Sequence, residues 1–142
     1  MSNSILAPAA VLVAWSLVML LWLAATRFPA MFKSGIDLKA QPPGGRGEDL
    51  EGVLPPQVQW KSHNYTHLME QPTIFYAAVI ILHLAQGATP LMVSFAWGYT
   101  ILRIIHSIYQ STINVSTARF AIFTLATICL VVLSVKAVLV TI

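Results

Sequence analysis

Apolar residues fall into four long blocks, 5–26, 72–88, 90–109 and 119–142, and most polar residues gather between them. Each block approaches the roughly 20 residues of helix needed to cross a bilayer. None carries the broad polar face that a soluble amphipathic helix presents to water. The pattern predicts an all-α integral membrane protein, a four-helix up-down bundle with helices at about 5–26, 64–88, 90–110 and 118–141. Its single transmembrane domain covers 1–142, with one long loop at 27–63. The connection "QGATP" is short enough to force helices two and three into a hairpin, and "QSTINVSTA" joins helices three and four.

Composition agrees with this reading. The chain has 142 residues, 57% hydrophobic and 9% charged, against about a quarter charged in ordinary soluble domains. The first block has no basic start, and its apolar core is longer than that of a secretion signal, so it is expected to be a retained helix. Cys129 lies inside the last block, which leaves no disulfide within one chain. The net charge of +3 comes without a basic cluster and therefore points to membrane orientation, not to nucleic acid.

Five of the eight basic residues, Arg27, Lys33, Lys39, Arg46 and Lys61, lie between helices one and two. The positive-inside rule puts this segment in the cytoplasm and both termini on the opposite side. The middle of the loop, "QPPGGRGEDLEGVLPPQ", is rich in Pro and Gly and is expected to lack regular structure. It reads as a spacer or as a flap over a cytoplasmic opening. The tripeptides "NYT" and "NVS" match the glycosylation pattern but fall on the cytoplasmic side, so neither is expected to be modified.

The topology gathers polar groups into one cytoplasmic layer. Arg27 closes helix one, Glu70 opens helix two, and Arg119 starts helix four. Arg103 and His106 lie in the last two turns of helix three, about 5–10 Å inside the edge at 1.5 Å per residue. Only His83 and Lys136 fall in the outer half. Tyr99, Arg103, His106 and Gln110 share one helix face, and His63, His67 and Glu70 share another, with Asn64 beside them. Ser62 is a candidate cap for helix two, and Pro72 is expected to free the carbonyl of Leu68 and kink the helix.

An arginine at the depth of Arg103 faces protein or a wet cavity when it does not snorkel. Two readings follow: a structural pair with Glu70, or an anion pocket lined by Arg103, Arg119, Arg27 and His106. In the second, Glu70 accepts from a ligand ammonium, and several cations around one carboxylate suit a peptide-like ligand. The spacing His63-x3-His67-x2-Glu70 could hold zinc or iron, but no other chelating cluster supports it and no metal is assigned.

The chain resembles the MAPEG family, the membrane-associated proteins in eicosanoid and glutathione metabolism. The resemblance rests on "HLMEQPTIF" at the approach to helix two, "RIIH" in helix three and the arginine, Arg119, that heads helix four. It implies a homotrimer that holds glutathione as co-substrate between subunits at the cytoplasmic side, with a lipophilic small molecule arriving from the bilayer. It gives Arg119 the catalytic role of stabilising the thiolate. Ligand-binding roles pass to Glu70, Arg103 and His106, to His67 and Asn64 on the approach to helix two, to Arg27 by position, and to Tyr109.

The chain also departs from the family pattern. His67, Thr66 and His63 stand where the family often has asparagine and two arginines. Gln110 takes a tyrosine position, with Tyr109 one place early, and Phe120 and Phe123 replace a serine and a tyrosine found in some of its enzymes. The expected function is a glutathione-dependent transferase or peroxidase for lipophilic electrophiles. The alternative is a non-catalytic scaffold, accessory subunit or lipid-binding module of the same fold.

Overall fold

A computed structural model describes residues 5–142. The chain forms α1 (Leu6–Lys33), α2 (Pro56–Leu68), α3 (Pro72–Leu84), α4 (Pro90–Thr112) and α5 (Ser116–Thr141), with two 3₁₀ turns in the loop after α1. There is no strand among the described residues. Since α2 and α3 are one helix interrupted at 69–71, the architecture is the expected four-helix bundle. α1, α4 and α5 are each long and apolar enough to cross a membrane. α3 has 13 residues, about 20 Å at 1.5 Å per residue, and reaches bilayer length only together with its neighbouring turns.

The break follows from Pro72. Proline has no N–H to give the Leu68 carbonyl, and its ring clashes with that carbonyl in a continuous helix. The chain therefore closes α2 at Leu68 and restarts with Pro72 in the first turn of α3, where a missing N–H costs nothing. The expected kink is thus a full interruption.

Three boundaries differ from expectation. Helix one does not stop near Thr26 but continues through Arg27 and Pro29 to Lys33. Its stop signal is Gly35, at φ 74°. The Gly35 amide donates to the Phe32 carbonyl (3.2 Å) and the Ile36 amide to the Met31 carbonyl (3.0 Å), a Schellman closure that favours glycine at that position. Helix two begins at Pro56, so the loop is shorter than 27–63, and Ser62 lies inside α2 and caps nothing. Residues 56–63 are polar because this half of the helix packs against α1 and α4 ahead of the apolar block, and Pro56 at the helix start was the available signal. Helix two also ends early, at Leu84, where Gly87 donates to the Leu82 carbonyl at 2.8 Å. A Cβ on Gly87 would stand 2.9 Å from Val140 of α5, so glycine allows the close approach.

α5 lies along α4 and also packs on α3, while α1 covers α2, α3 and α4. The core is centred on Phe75 of α3, fully buried and stacked on Tyr99 of α4 with ring centroids 4.4 Å apart. The Tyr99 hydroxyl donates to Gln71 Oε1 (2.9 Å), and Gln71 Nε2 donates to Thr127 Oγ1 (3.0 Å). Gln71, in the helix break, thereby ties α4 to α5. Shape complementarity and polar links of this kind hold helices together where lipid and core are equally apolar. Phe75→Ala should cost on the order of 3 kcal/mol, read as a lower thermal midpoint of the detergent-solubilised protein, whereas Ile74→Ala on the exposed face should leave the midpoint close to wild type.

Candidate functional site

The end of the bundle nearest the helix break carries the basic cluster. Arg103 and His106 both project from the buried face of α4, each 1% exposed. Arg103 Nη2 lies 3.3 Å from the His67 carbonyl and 3.2 Å from His67 Nδ1. A carbonyl in the last turn of α2 carries the partial negative charge of a helix C-terminus, a favourable seat for a guanidinium. Because Arg103 can only donate, Nδ1 must accept, which leaves the His67 proton on Nε2 and the ring neutral. Burial, and next the Arg103 charge, hold the His67 imidazole below its ordinary value of 6.5. The Glu70 carboxylate, 3.8 Å from Nδ1, is consequently no ion-pair partner to a neutral ring.

His67 and His106 meet edge to face with centroids 5.0 Å apart. Phe123 of α5 packs on His67 at 5.3 Å and lies 5.9 Å from the Arg103 guanidinium carbon, within cation–π range. Arg119 is positioned by the α4–α5 turn. Asn114 adopts φ 58°, a left-handed conformation that asparagine tolerates better than most residues, and its Oδ1 accepts a hydrogen bond from Arg119 Nη1.

Between these groups lies a cavity of about 370 Å³, walled by His63 and His67 from α2, His106 and Gln110 from α4, and Arg119, Phe120 and Phe123 from α5. Of the residues expected from sequence, it brings together His67, His106 and Arg119. Arg103 stands behind His67 and is not part of the wall. The Glu70 side chain is 69% exposed and faces outward at the same end of the bundle. Asn64 is buried with neither amide atom hydrogen-bonded, and it does not line the cavity. Tyr109 is half-buried and lies outside the wall. Arg27 lines a different cavity, beneath the loop.

Gln110 and His63 belong to the polar spacings visible in the sequence, yet their place in the wall required the packing. Gln71 and Asn114 gave no sequence signal of their importance beyond their positions in turns. Among the described residues, no group of three or more His, Cys, Asp or Glu is arranged to hold a metal. The cluster is thus cationic and amide-lined with a phenylalanine side, and it suits an anion.

The sequence model of the MAPEG family matches residues 5–139. This chain belongs to the MAPEG family. No curated protein and no solved structure matches it. The family match runs through all five helices, so the His67–His106–Arg119 cavity is built wholly from family-matched elements.

Protonation of His67 should weaken the fold. Its folded-state pKa is depressed, so the unfolded chain binds the proton more readily. The stability it contributes is complete above about 6.5 and lost as the pH falls through the lower folded value. Thermal midpoints measured between pH 7.5 and pH 5 should decline in wild type, and His67→Asn should flatten that decline. An identical slope in the variant would remove His67 from the explanation.

Proposed function

We propose that this MAPEG protein is a glutathione-dependent transferase or peroxidase acting on lipophilic electrophiles, and that the observation carrying this reading is the cavity shared by Arg119, His106 and His67. Glutathione presents two carboxylates, one ammonium and a thiol. The Arg119 guanidinium and the imidazole N–H groups match the carboxylates or a thiolate, and the exposed Glu70 matches the ammonium. A thiol beside a fixed cation ionises at lower pH, which gives Arg119 its role. In a conjugation, the thiol proton leaves to water and the sulfur pair forms the new S–C bond. The displaced electron pair moves onto the acceptor or departs with a leaving group. Phe120, 68% exposed, and Phe123 supply the apolar side on which the co-substrate rests.

The same reading takes the protein to be a homotrimer, in which outward-facing Glu70 completes a site against a neighbouring subunit. It also turns the loop between α1 and α2 to the cytoplasm, in keeping with its basic residues. Arg103 acts through His67: with Nη2 held by the end of α2, it sets the tautomer of that ring, and its place behind the imidazole keeps it out of the cavity wall.

A second reading is a non-catalytic scaffold or lipid-binding module. Its support is specific: phenylalanines line the cavity where the family resemblance expects hydroxyls, which lowers the polarity of the site. Isothermal titration of the purified protein with glutathione separates the two. The enzyme reading expects binding below millimolar, weakened about tenfold by Arg119→Ala (about 1.4 kcal/mol), with loss of conjugating activity in assemblies of unchanged size. No binding at millimolar glutathione would overturn it in favour of the scaffold.

A further inference from the structure

A second cavity, about 570 Å³, lies beneath the loop between α1 and α2. Its polar side holds Arg27, Asp49 and the glycine-rich turn 44–47, and its apolar side is built from Phe28, Met31, Ile36 and Leu50. We propose that this cavity is a second, separate binding site, which takes the anionic headgroup of a membrane amphiphile, with a phosphate-type oxyanion on Arg27 and the adjoining methylenes against Phe28 and Leu50.

The charge of Arg27 is available. Its Nε and Nη2 are buried and have no hydrogen-bond partner, and among the described residues it forms no ion pair. A buried guanidinium without acceptors is costly. The neighbouring acids are already engaged. Asp49 Oδ2 accepts from the Arg46 amide (2.8 Å), Glu48 pairs with the Arg46 guanidinium (2.7 Å), and Glu51 pairs with His63. The Glu51 carboxyl is held below its usual range chiefly by His63, with Arg27 the weakest contributor.

The position of the cavity fits an amphiphile. Arg27 lies in the last two turns of a membrane-spanning helix, the depth at which a bilayer changes from acyl chain to headgroup. Phe28 and Val53 sit on the cavity's apolar side and remain exposed, so the cavity opens with apolar groups at its rim. The volume falls within the usual range for small-molecule sites, roughly 300–1,000 Å³. A soluble anion alone would leave the apolar side unused, whereas an acylated one covers both sides.

The glycine at 47 supplies a mild test. A Cβ there would stand 2.6 Å from Arg27 Nη1, at the far end of a flexible side chain, so Gly47→Ala displaces the guanidinium without disturbing the backbone. The full-length protein in detergent would be titrated with dioctanoyl phosphatidate, with uncharged dioctanoylglycerol, and with inorganic phosphate.

The expected result is saturable phosphatidate binding, weakened about tenfold by Arg27→Gln and by Gly47→Ala, as for loss of a charge-assisted contact, with dioctanoylglycerol weaker than phosphatidate. Should Arg27→Gln fail to fold, Gly47→Ala alone decides the matter. Phosphatidate binding that neither variant changes overturns the site. Inorganic phosphate binding as tightly as phosphatidate overturns the amphiphile and leaves a free oxyanion as ligand. The measurement needs no glutathione, so its outcome is independent of the catalytic reading above.

Discussion

Pro72 cannot donate to the Leu68 carbonyl, and the polar architecture of this protein depends on that one missing hydrogen bond. Without it, a helix end exists inside the bundle. The last carbonyls of α2 close in a tighter turn, and one of them, on His67, accepts the Glu70 amide and also receives the Arg103 guanidinium. A buried arginine in a membrane protein needs acceptors, and the chain supplies a helix terminus and an imidazole nitrogen instead of a carboxylate. That choice leaves Glu70 outside and uncommitted, and it keeps His67 neutral with its proton on Nε2.

The same interruption gives Gln71 its role. In a continuous helix its side chain would be one more residue on a helical face. In the break it accepts from Tyr99 and donates to Thr127, so the backbone irregularity is stitched to two other helices. Phe75 stacks on the same tyrosine a turn later. The seam that joins α3, α4 and α5 therefore starts at the break, and the aromatic core and the basic cluster share one origin.

The two cavities separate Arg119 from Arg27. Arg119 and the histidines face a chamber with an aromatic side, whereas Arg27 faces the loop. An arginine fixed by Asn114 at a turn differs from one whose Nε and Nη2 have no hydrogen-bond partner among the described residues. The first is held in place by its turn, whereas the second has buried nitrogens beside the apolar side chains of Phe28, Met31 and Leu50.

Much of this was legible in the residues. Four apolar blocks determined the bundle and its membrane setting, because length and hydropathy alone decide whether a helix can lie in hydrocarbon. The recurrence at Tyr99, Arg103, His106 and Gln110 determined a polar face, since helical period is a local property, and all four are buried. Pro72 and Gly35 carried their own stop signals, the second of which goes unnoticed when the end of an apolar block is taken as the end of a helix.

What tertiary structure alone decided is partnership. The sequence offered Glu70 or a ligand to Arg103; packing gave it the end of α2 and Phe123. It grouped Arg27 with the other arginines by depth, but depth is one coordinate, and the loop folds back to put that side chain in a chamber of its own. The polar start of α2 at Pro56 looked like loop because its burial comes from α1 and α4, not from an apolar run. Local pattern specifies where a side chain sits along a helix, but the azimuth and crossing of neighbouring helices decide what it meets.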